Sequence, residues 1–311
     1  MIEIEKNNLN KNANGGTELV TRGILERINL EEFEGVQLIT SRVRELKKRH
    51  KKILHLHDLA GDPEVQHLKS DLSRNRFSKL VFCSNWQYES YRNQLSVPWD
   101  DKSTVIANGI EPLGLKSKPT DKIRLIYTST PHRGLEILVP VFEHLYKQFD
   151  GQIELDVFSS FNIYGWPERD APYEELFERC RQHPGINYHG FQPNSVVREA
   201  LEKAHIFAYP SIWQETFCIA LAEAMSAGCL CVHPNLAALP ETSGGLTVMY
   251  DGNQNPNEHA QVFAHTLAYA IENIRQNDMT PLLRYIKSFA DTRYSWTNVI
   301  YKWQSLLNSL K

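Results

Sequence analysis

Short runs of β-branched and aliphatic residues alternate with helix-like stretches along almost the whole chain, and this alternation constrains the fold most. Continuous apolar strands that are each separated by a helix are typical of parallel sheets covered on both faces. In the first third of the chain the predicted strands are Gln37–Thr40, Ile53–Asp58, Lys79–Ser84 and Thr104–Ala107. In the remainder they are Ile123–Ser129, Glu154–Ser159, Ile186–His189, His205–Tyr209, Cys229–Val232 and Leu246–Tyr250. The sequence therefore predicts an α/β fold.

Helical periodicity is found between these strands, and the pattern restarts after a linker-like segment. The predicted helices are Gly16–Ile28, Trp86–Leu95, Gly134–Phe149, Tyr173–Gln182, Ser195–Lys203, Phe217–Ala227 and Asn257–Ile274. Ile110–Lys122 is rich in Gly, Pro, Ser and Lys, which is the composition of a linker. Because a domain usually has roughly 100–200 residues, the 311 residues suggest two doubly wound domains with a cleft between them.

Composition excludes several classes of protein. The 34 Lys and Arg residues are balanced by 37 Asp and Glu residues, so no overall basic field points to nucleic acid. No apolar run reaches the roughly 18 residues needed to span a bilayer, and the first residues do not resemble a signal peptide. We therefore expect a cytoplasmic protein. The five cysteines form no CxxC pair, and Cys83, Cys229 and Cys231 lie in apolar runs, which predicts free core thiols.

Two candidate sites lie in the first third. Asn14-Gly15-Gly16 precedes a helical pattern, and a glycine pair allows close backbone approach to an anion at a helix start, although such a pair is more often only a turn. His55 and His57 share one face at the end of a strand, with Asp58 after them. His57 and Asp58 can orient a hydroxyl or shuttle a proton, and a hydrogen-bonded strand end is an equal alternative. We find no ligand set that predicts a metal site.

Three charged side chains beyond the linker lie after predicted strands or within the helix that follows. Arg133 lies between a strand and a helix, where a guanidinium can clamp a phosphate or simply be solvated. Glu215 follows the strand that ends near Pro210, just before an Ala-rich helix that Gly228 terminates. Glu223 interrupts the apolar face of that helix, and a buried carboxylate there requires a structural partner or a ligand hydroxyl.

Arg42–Lys52 holds seven Lys or Arg residues and one Glu. A solvated helix before the His57 strand is one interpretation of this basic run. Contact with lipid head groups or a nucleic acid is the other.

The segment PSIWQETFCIALAEAMSAG (residues 210–228) resembles the signature of retaining glycosyltransferase family 4, two glutamates separated by seven residues. Other motifs agree in chain order: Gly15-Gly16, Asn108-Gly109-Ile110, Arg133-Gly134, Tyr188-His189-Gly190, and Arg293–Leu307 as a terminal helix that returns to the first domain. The resemblance implies a GT-B fold, with an acceptor-side domain at residues 1–115 that is completed by a C-terminal helix at 290–311. It implies a nucleotide-sugar-binding domain at residues 116–289, facing the first across the cleft.

The resemblance also implies roles for individual residues. Glu215 would contact the donor sugar, with backbone N–H groups of Thr216, Phe217, Cys218 and Ile219 around sugar and phosphate. Glu223 would hold the nucleotide ribose, and Arg133 would neutralise the leaving diphosphate. Gly15 and Gly16 would approach the diphosphate, and Gly190 and Phe191 would face the base. His57 and Asp58 would lie near the sugar and the acceptor.

Three departures from the family pattern stand out: Cys218 replaces a frequent glycine, Ser129-Thr130 replaces an upstream basic residue, and the first domain is short. The implied activity is retaining transfer from a UDP- or GDP-sugar without a cofactor or an obligatory metal, since no Asp-x-Asp motif is present. The acceptor stays open among a saccharide, a lipid and a nucleic acid. A catalytically silent nucleotide-sugar-binding protein is the alternative, and a glycoside hydrolase is disfavoured because two helical turns separate the glutamates too far.

Overall fold

The computed structural model of the protein describes residues 3–4, 15–29 and 34–311. The chain divides into two compact units, one comprising Met1–Ile110 with Arg293–Lys311 and the other comprising Glu111–Thr292. The predicted division after residue 115 lies a few residues beyond this boundary. No helix of the described ranges is long and apolar enough to cross a membrane.

The first unit is built on a parallel sheet. Its described strands are Glu3–Ile4 (β1), Val36–Thr40 (β2), Lys51–Leu56 (β3), Lys79–Phe82 (β4) and Ser103–Val105 (β5). They are arranged in chain order, from β1 to β5. The helices between them are Gly16–Arg27 (α1), Asp71–Arg74 (α2) and Asn85–Leu95 (α3). Helix α3 begins at residue 85 because the Ser84 hydroxyl accepts a hydrogen bond from the backbone N–H of Gln87 at 3.0 Å.

The second unit has a six-stranded parallel sheet whose strand order reverses. Its strands are Ile123–Thr128 (β6), Ile153–Phe158 (β7), Ile186–Tyr188 (β8), Ile206–Ala208 (β9), Leu230–Pro234 (β10) and Val248–Tyr250 (β11). Its helices are Leu135–Gln148 (α4), Glu174–Gln182 (α5), Asn194–Lys203 (α6), Ile219–Ser226 (α7), Leu239–Ser243 (α8) and Pro256–Gln276 (α9). The order β11-β10-β9-β6-β7-β8 changes direction between β6 and β9.

The predicted α/β class with parallel sheets is confirmed, and the reversal that defines a doubly wound sheet lies in the second unit. In open α/β sheets, ligands bind beyond the carboxyl ends of the strands at such a reversal. We therefore expect a ligand site in the loops after β6 and β9.

The predicted terminal helix Arg293–Leu307 corresponds to Trp296–Asn308 (α11), which begins later than predicted because the residues up to Tyr294 belong to a separate helix, Thr280–Tyr294 (α10). The backbone N–H of Ile110 donates to the Tyr294 carbonyl at 2.8 Å, and the Trp296 N–H donates to the Ile110 carbonyl at 3.1 Å. These bonds occupy backbone groups that a continuous helix would use for itself, so the helix ends at Tyr294 and a new one begins after Ser295.

The basic run is not a helix before the His57 strand. Residues 42–50 have no helical structure, and strand β3 already begins at Lys51. The buried Gln37 side chain donates to the Glu45 carbonyl at 3.0 Å and accepts from the Lys47 N–H at 3.0 Å. These two bonds tie the segment to β2 in an irregular conformation.

Candidate functional site

An arginine and a glutamate meet beyond the carboxyl ends of β6 and β9. Arg133 Nη1 donates to Glu215 Oε1 at 2.7 Å, and Arg133 Nη2 donates to the Tyr164 hydroxyl at 3.2 Å. The Tyr209 hydroxyl donates to the same Glu215 Oε1 at 2.6 Å. Burial opposes the charge on Arg133, but Glu215 together with Tyr164, Tyr209 and Cys218 outweighs burial and raises the pKa of the guanidinium. The result is an ion pair at the reversal of the sheet, in which Glu215 is buried and Arg133 is partly exposed.

Backbone contact brings the two loops together. Gly134 has φ +133°, and a Cβ atom there would lie 2.2 Å from the carbonyl oxygen of Pro210. The Ile212 N–H donates to the Arg133 carbonyl at 3.3 Å. Glycine is therefore required beside Arg133 by both its backbone conformation and the lack of space.

Aromatic side chains pack against the loop that carries Arg133. The His132 ring stacks on Phe161 at 5.1 Å and meets Trp213 edge-on at 4.9 Å. Burial lowers the pKa of His132 to about 4, and the charges of Arg133 and Arg169 act in the same direction. His132 is therefore neutral at neutral pH.

Among the residues that the structure describes, three buried polar atoms of this loop find no hydrogen-bond partner: Thr130 Oγ1, His132 Nδ1 and Arg133 Nε. Buried polar atoms are usually paired. Their clustering next to the Arg133–Glu215 pair is what a polar ligand site would require.

Helix α7 begins after the loop that carries Glu215. The Ala238 N–H donates to the Glu215 carbonyl at 3.1 Å, and the Thr242 hydroxyl donates to the Phe217 carbonyl. Cys218 precedes the helix with φ +79°, in the left-handed region that favours glycine. This conformation gives a physical reason for the glycine that the related pattern often has there. Helix α7 begins at Ile219, two residues later than predicted.

Glu223 is buried on α7 and has a cationic partner. Arg198 on α6 donates to Glu223 Oε1 at 3.0 Å. Burial raises the pKa of Glu223, although the Arg198 charge and hydrogen bonds from Arg198 and Asn194 oppose the shift. The sequence predicted that this carboxylate needs a partner, and Arg198 is the partner that sequence reasoning did not identify.

The predicted base-side loop follows β8. His189 Nε2 donates a hydrogen bond to Asp156 Oδ1 at 2.8 Å, and the His189 ring stacks on Phe158 at 4.3 Å. Gly190 follows with φ +60°, and Phe191 comes next at intermediate exposure. The Tyr188 hydroxyl donates to the Ser159 carbonyl at 2.8 Å, which ties the end of β8 to the end of β7.

In the first unit, the glycine pair begins α1. Gly15 is the N-terminal cap with φ −64°, so it does not use a left-handed conformation, and no side chain caps the helix. Asn14 lies outside the described residues. The helix start therefore presents backbone N–H groups, as predicted for an anion site, without the strained turn that the glycines permitted.

A cluster of two histidines and a cysteine lies where β3 and β4 end. His57 Nε2 is 3.3 Å from His55 Nδ1, and Cys83 Sγ is 3.8 Å from His57 Nδ1. The strand register that pairs Leu56 with Phe82 brings His57 beside Cys83. Burial lowers the pKa of His57 to about 4, so His57 is a neutral hydrogen-bonding group at neutral pH.

This cluster is the arrangement of described residues that could hold a metal ion, because its ligand atoms lie within 4.8 Å of one another. Sequence reasoning did not include Cys83 in it. The Cys83 thiol donates to the Leu56 carbonyl at 3.0 Å, so in this structure the thiol makes a structural hydrogen bond from the end of β4 to β3. All five cysteines are free and buried, which confirms the prediction of core thiols.

Asp58, next to His57, is also enclosed. Burial and the charge of Asp62 raise the pKa of Asp58, against the charge of Arg42 and a hydrogen bond from Ser41. Its Oδ2 atom is buried and has no hydrogen-bond partner. Its backbone carbonyl accepts from Gln87 Nε2 at 2.9 Å and from the Tyr91 hydroxyl at 3.1 Å.

Comparison with known proteins agrees with this geometry. Residues 123–273 match the model of the family described as glycosyl transferases group 1. The matched segment, a little under half of the chain, is similar to group 1 glycosyl transferases. It contains β6 through most of α9, and with them Arg133, Glu215 and Glu223.

Relatives and structural neighbours extend the similarity into the first unit. One subunit of human phosphatidylinositol N-acetylglucosaminyltransferase is 24% identical over 202 residues, which is 63% of this chain and 39% of that protein. A glycosyltransferase structure from Rickettsia africae has a TM-score of 0.69 at 14% identity and covers 97% of this chain and 83% of its own. Anabaena HepE in complex with UDP and glucose has a TM-score of 0.66 at 16% identity, covering 94% and 81%.

These likenesses establish the fold. The structural neighbours are GT-B glycosyltransferases, and the α/β fold with parallel sheets is theirs. The chain spans about two fifths of the length of the human relative that it matches.

Proposed function

We propose that this protein is a retaining glycosyltransferase that moves a hexose from a UDP- or GDP-sugar to an acceptor. The observation that carries the proposal is the contact between Arg133 and Glu215 at the reversal of the second sheet. A cation and a carboxylate at that position suit a donor that combines a diphosphate with a hydroxyl-rich sugar. The UDP bound to Anabaena HepE supports a nucleotide donor.

In this scheme, breaking the bond to the sugar develops negative charge on the diphosphate. The Arg133 guanidinium and the backbone N–H groups from Thr216 to Ile219 stabilise that charge. Glu215 accepts hydrogen bonds from sugar hydroxyls, and Glu223 accepts them from the ribose. Gly190 and Phe191 contact the base, and the N-terminus of α1 at Gly15 and Gly16 adds donors for the diphosphate.

The neutral imidazole of His57, with Asp58 beside it, is assigned to the sugar and acceptor. A histidine whose pKa lies at about 4 exchanges hydrogen bonds with hydroxyls without carrying charge at neutral pH. We therefore assign it an orienting role.

We further propose that transfer needs no divalent metal and no cofactor, because Arg133 supplies the cation that the leaving group requires. Excess EDTA should leave activity largely intact, and a saturable requirement for Mn²⁺ or Mg²⁺ would contradict the metal-free scheme. Metal analysis of the purified protein tests the cluster of His55, His57 and Cys83 separately from the donor site.

The acceptor is proposed from one comparison and one surface. The human relative belongs, by its name, to a phosphatidylinositol N-acetylglucosaminyltransferase, which supports a lipid ahead of a saccharide or a nucleic acid. The exposed side chains of Arg42–Lys52 support contact with a membrane surface.

A screen of UDP- and GDP-sugars for thermal stabilisation tests the donor, since a ligand that binds the folded state raises its stability. Donor hydrolysis then tests catalysis, and the anomeric configuration of the released sugar tests retention. Binding without hydrolysis or transfer would support the second candidate, a catalytically silent nucleotide-sugar-binding protein. No stabilisation by any donor would overturn both.

A further inference from the structure

Two tyrosine hydroxyls contact the Arg133–Glu215 pair, one on each member. We propose that Tyr209 and Tyr164 are positioning residues for the transfer reaction: Tyr209 fixes the Glu215 carboxylate, and Tyr164 fixes the Arg133 guanidinium. The inference rests on the proposed function and deepens it, because it assigns roles to two residues that carry no charge and belong to neither signature motif.

Tyr209 is enclosed by its neighbours and donates its hydroxyl proton to Glu215. It follows β9, its side chain is fully buried, and its backbone N–H donates to the Val232 carbonyl at 2.9 Å. Its ring lies 5.9 Å from Tyr127 and 5.4 Å from Phe207. Burial, and then the Glu215 charge, raises the pKa of Tyr209 well above its usual value, so its hydroxyl keeps its proton.

Both donors to Glu215 meet on one oxygen. Arg133 Nη1 lies 2.7 Å from Oε1, and the Tyr209 hydroxyl lies 2.6 Å from the same atom. Oε2 takes part in neither bond. Two donors from different strand ends fix the rotation of the carboxylate and so determine where Oε2 points. That is the function we assign to Tyr209.

Tyr164 is brought to Arg133 by a separate loop after β7. A short 3-10 helix, Phe161–Tyr164, begins where the Ser160 hydroxyl accepts from the Asn162 N–H at 2.9 Å. The Asp170 carboxylate anchors the loop by accepting from the Phe161 N–H at 2.7 Å and from the Ser160 hydroxyl. The loop therefore holds the Tyr164 hydroxyl in a defined place.

The guanidinium uses its two terminal nitrogens on different partners. Nη1 binds Glu215, and Nη2 binds Tyr164. Because the guanidinium is planar, two fixed directions define its orientation, and a bidentate contact with a phosphate depends on that orientation. Loss of the Tyr164 hydroxyl keeps the charge and removes one of the two directions.

The test uses Tyr209→Phe and Tyr164→Phe, which each remove one hydroxyl. Tyr250→Phe is the matched control, because Tyr250 lies in the same unit and its hydroxyl contacts His259 at 2.8 Å. Hydrolysis of UDP-glucose, with GDP-mannose as the second donor, gives kcat and KM, and urea unfolding monitors the fold. Each variant is also made in a second background, Tyr209→Phe with Glu215→Gln and Tyr164→Phe with Arg133→Lys.

We expect kcat to fall about 10-fold in each tyrosine variant, with KM changed less than about threefold. Misplaced groups reduce the stabilisation of the transition state more than they reduce substrate binding. Tyr250→Phe should keep its kcat. In the second background each hydroxyl loss should change kcat less than twofold, because the group that it positions is already altered.

Equal kcat in wild type and both variants would overturn the inference, and so would full, independent losses in the second backgrounds. A loss of kcat matched by Tyr250→Phe would also overturn it by showing a general effect on the fold. If the wild-type protein neither binds nor hydrolyses any donor of the screen, the proposed function fails instead.

Discussion

A Cβ atom on Gly134 would lie 2.2 Å from the carbonyl oxygen of Pro210, so the loops after β6 and β9 touch through backbone. This contact places Arg133, one residue before Gly134, within reach of Glu215, five residues after Pro210. The pairing of the two charged side chains therefore depends on a residue that has no side chain.

Gly134→Ala should lower the free energy of unfolding by more than about 2 kcal/mol, because it combines strain at φ +133° with overlap against backbone. Urea unfolding measures the loss. Gly245→Ala is the matched control, since Gly245 has φ +72° but a Cβ atom there would meet nothing within 4 Å. Equal losses in both variants would mean that the close approach costs nothing beyond backbone strain.

The sheet of the second unit was predictable because most of its strands read as short apolar runs, and β9 and β10 are buried on both faces. Predicted Ile123–Ser129 and observed Ile123–Thr128 differ by one residue, and Ile186–His189 differs equally little from Ile186–Tyr188. Glu215 and Arg133 were predictable as single residues, because each follows such a strand. Parallel topology then brings the two strand ends together.

The partners of those residues could not be predicted, because they come from segments without a periodic signal. Tyr164 lies in a loop whose path depends on the hydrogen bonds to Asp170. Arg198 lies on a polar helix, and no sequence pattern marks it as the partner of Glu223. Cys83 meets His57 only through the register of β3 and β4. The interpretation of the basic run as a solvated helix is wrong, because the local sequence gives no sign of the bonds from the buried Gln37.

Arg133→Ala should reduce transfer about 10²-fold or more, since it removes the cation assigned to the leaving diphosphate. Arg133→Lys should recover only part of the loss, because an ammonium cannot keep the contacts to Glu215 and Tyr164 together. Donor hydrolysis measures both. Arg124→Lys, at the opposite end of β6, should behave as wild type. Full activity in Arg133→Ala would show that the phosphate charge is met elsewhere.

Glu223→Gln should weaken UDP binding about 10- to 100-fold, because ribose hydroxyls lose a charged acceptor of about 1.5–3 kcal/mol. Calorimetry with UDP measures the affinity. Glu202→Gln is the control, since Glu202 lies on α6 and pairs with Lys116 outside the proposed site. If a folded Glu223→Gln variant binds UDP as the wild type does, Glu223 serves only to pair Arg198.

Acid should destabilise the protein through His233. This side chain is buried against Thr247 at 2.7 Å, and burial lowers its pKa to about 4, although a bond to the Pro234 carbonyl opposes the shift. A lowered histidine pKa means that the unfolded chain binds the proton more tightly. Its stabilising contribution is complete above about pH 6.5 and is lost between there and about pH 4.

That loss amounts to about 3 kcal/mol for His233. Urea unfolding at pH 7 and pH 4.5 should show a smaller pH-dependent change in His233→Gln than in wild type. His144→Gln, on the exposed face of α4, should retain the wild-type change. An unaltered pH dependence in His233→Gln would assign the effect to other buried histidines.

The basic run supplies the last prediction. Arg42, Arg44, Lys48, Arg49 and Lys51 are exposed. Each is expected to contribute on the order of 1 kcal/mol against anionic lipid. The double variant Lys48→Glu with Arg49→Glu should therefore reduce co-sedimentation with phosphatidylserine vesicles at low salt at least 10-fold. The control is Lys147→Glu with Lys302→Glu, which changes the net charge by the same amount elsewhere and should reduce co-sedimentation much less. Equal reductions in the two double variants would show an effect of net charge alone. A gel shift with DNA would favour a nucleic acid as the acceptor. Absence of binding to both vesicles and DNA would favour a neutral saccharide acceptor.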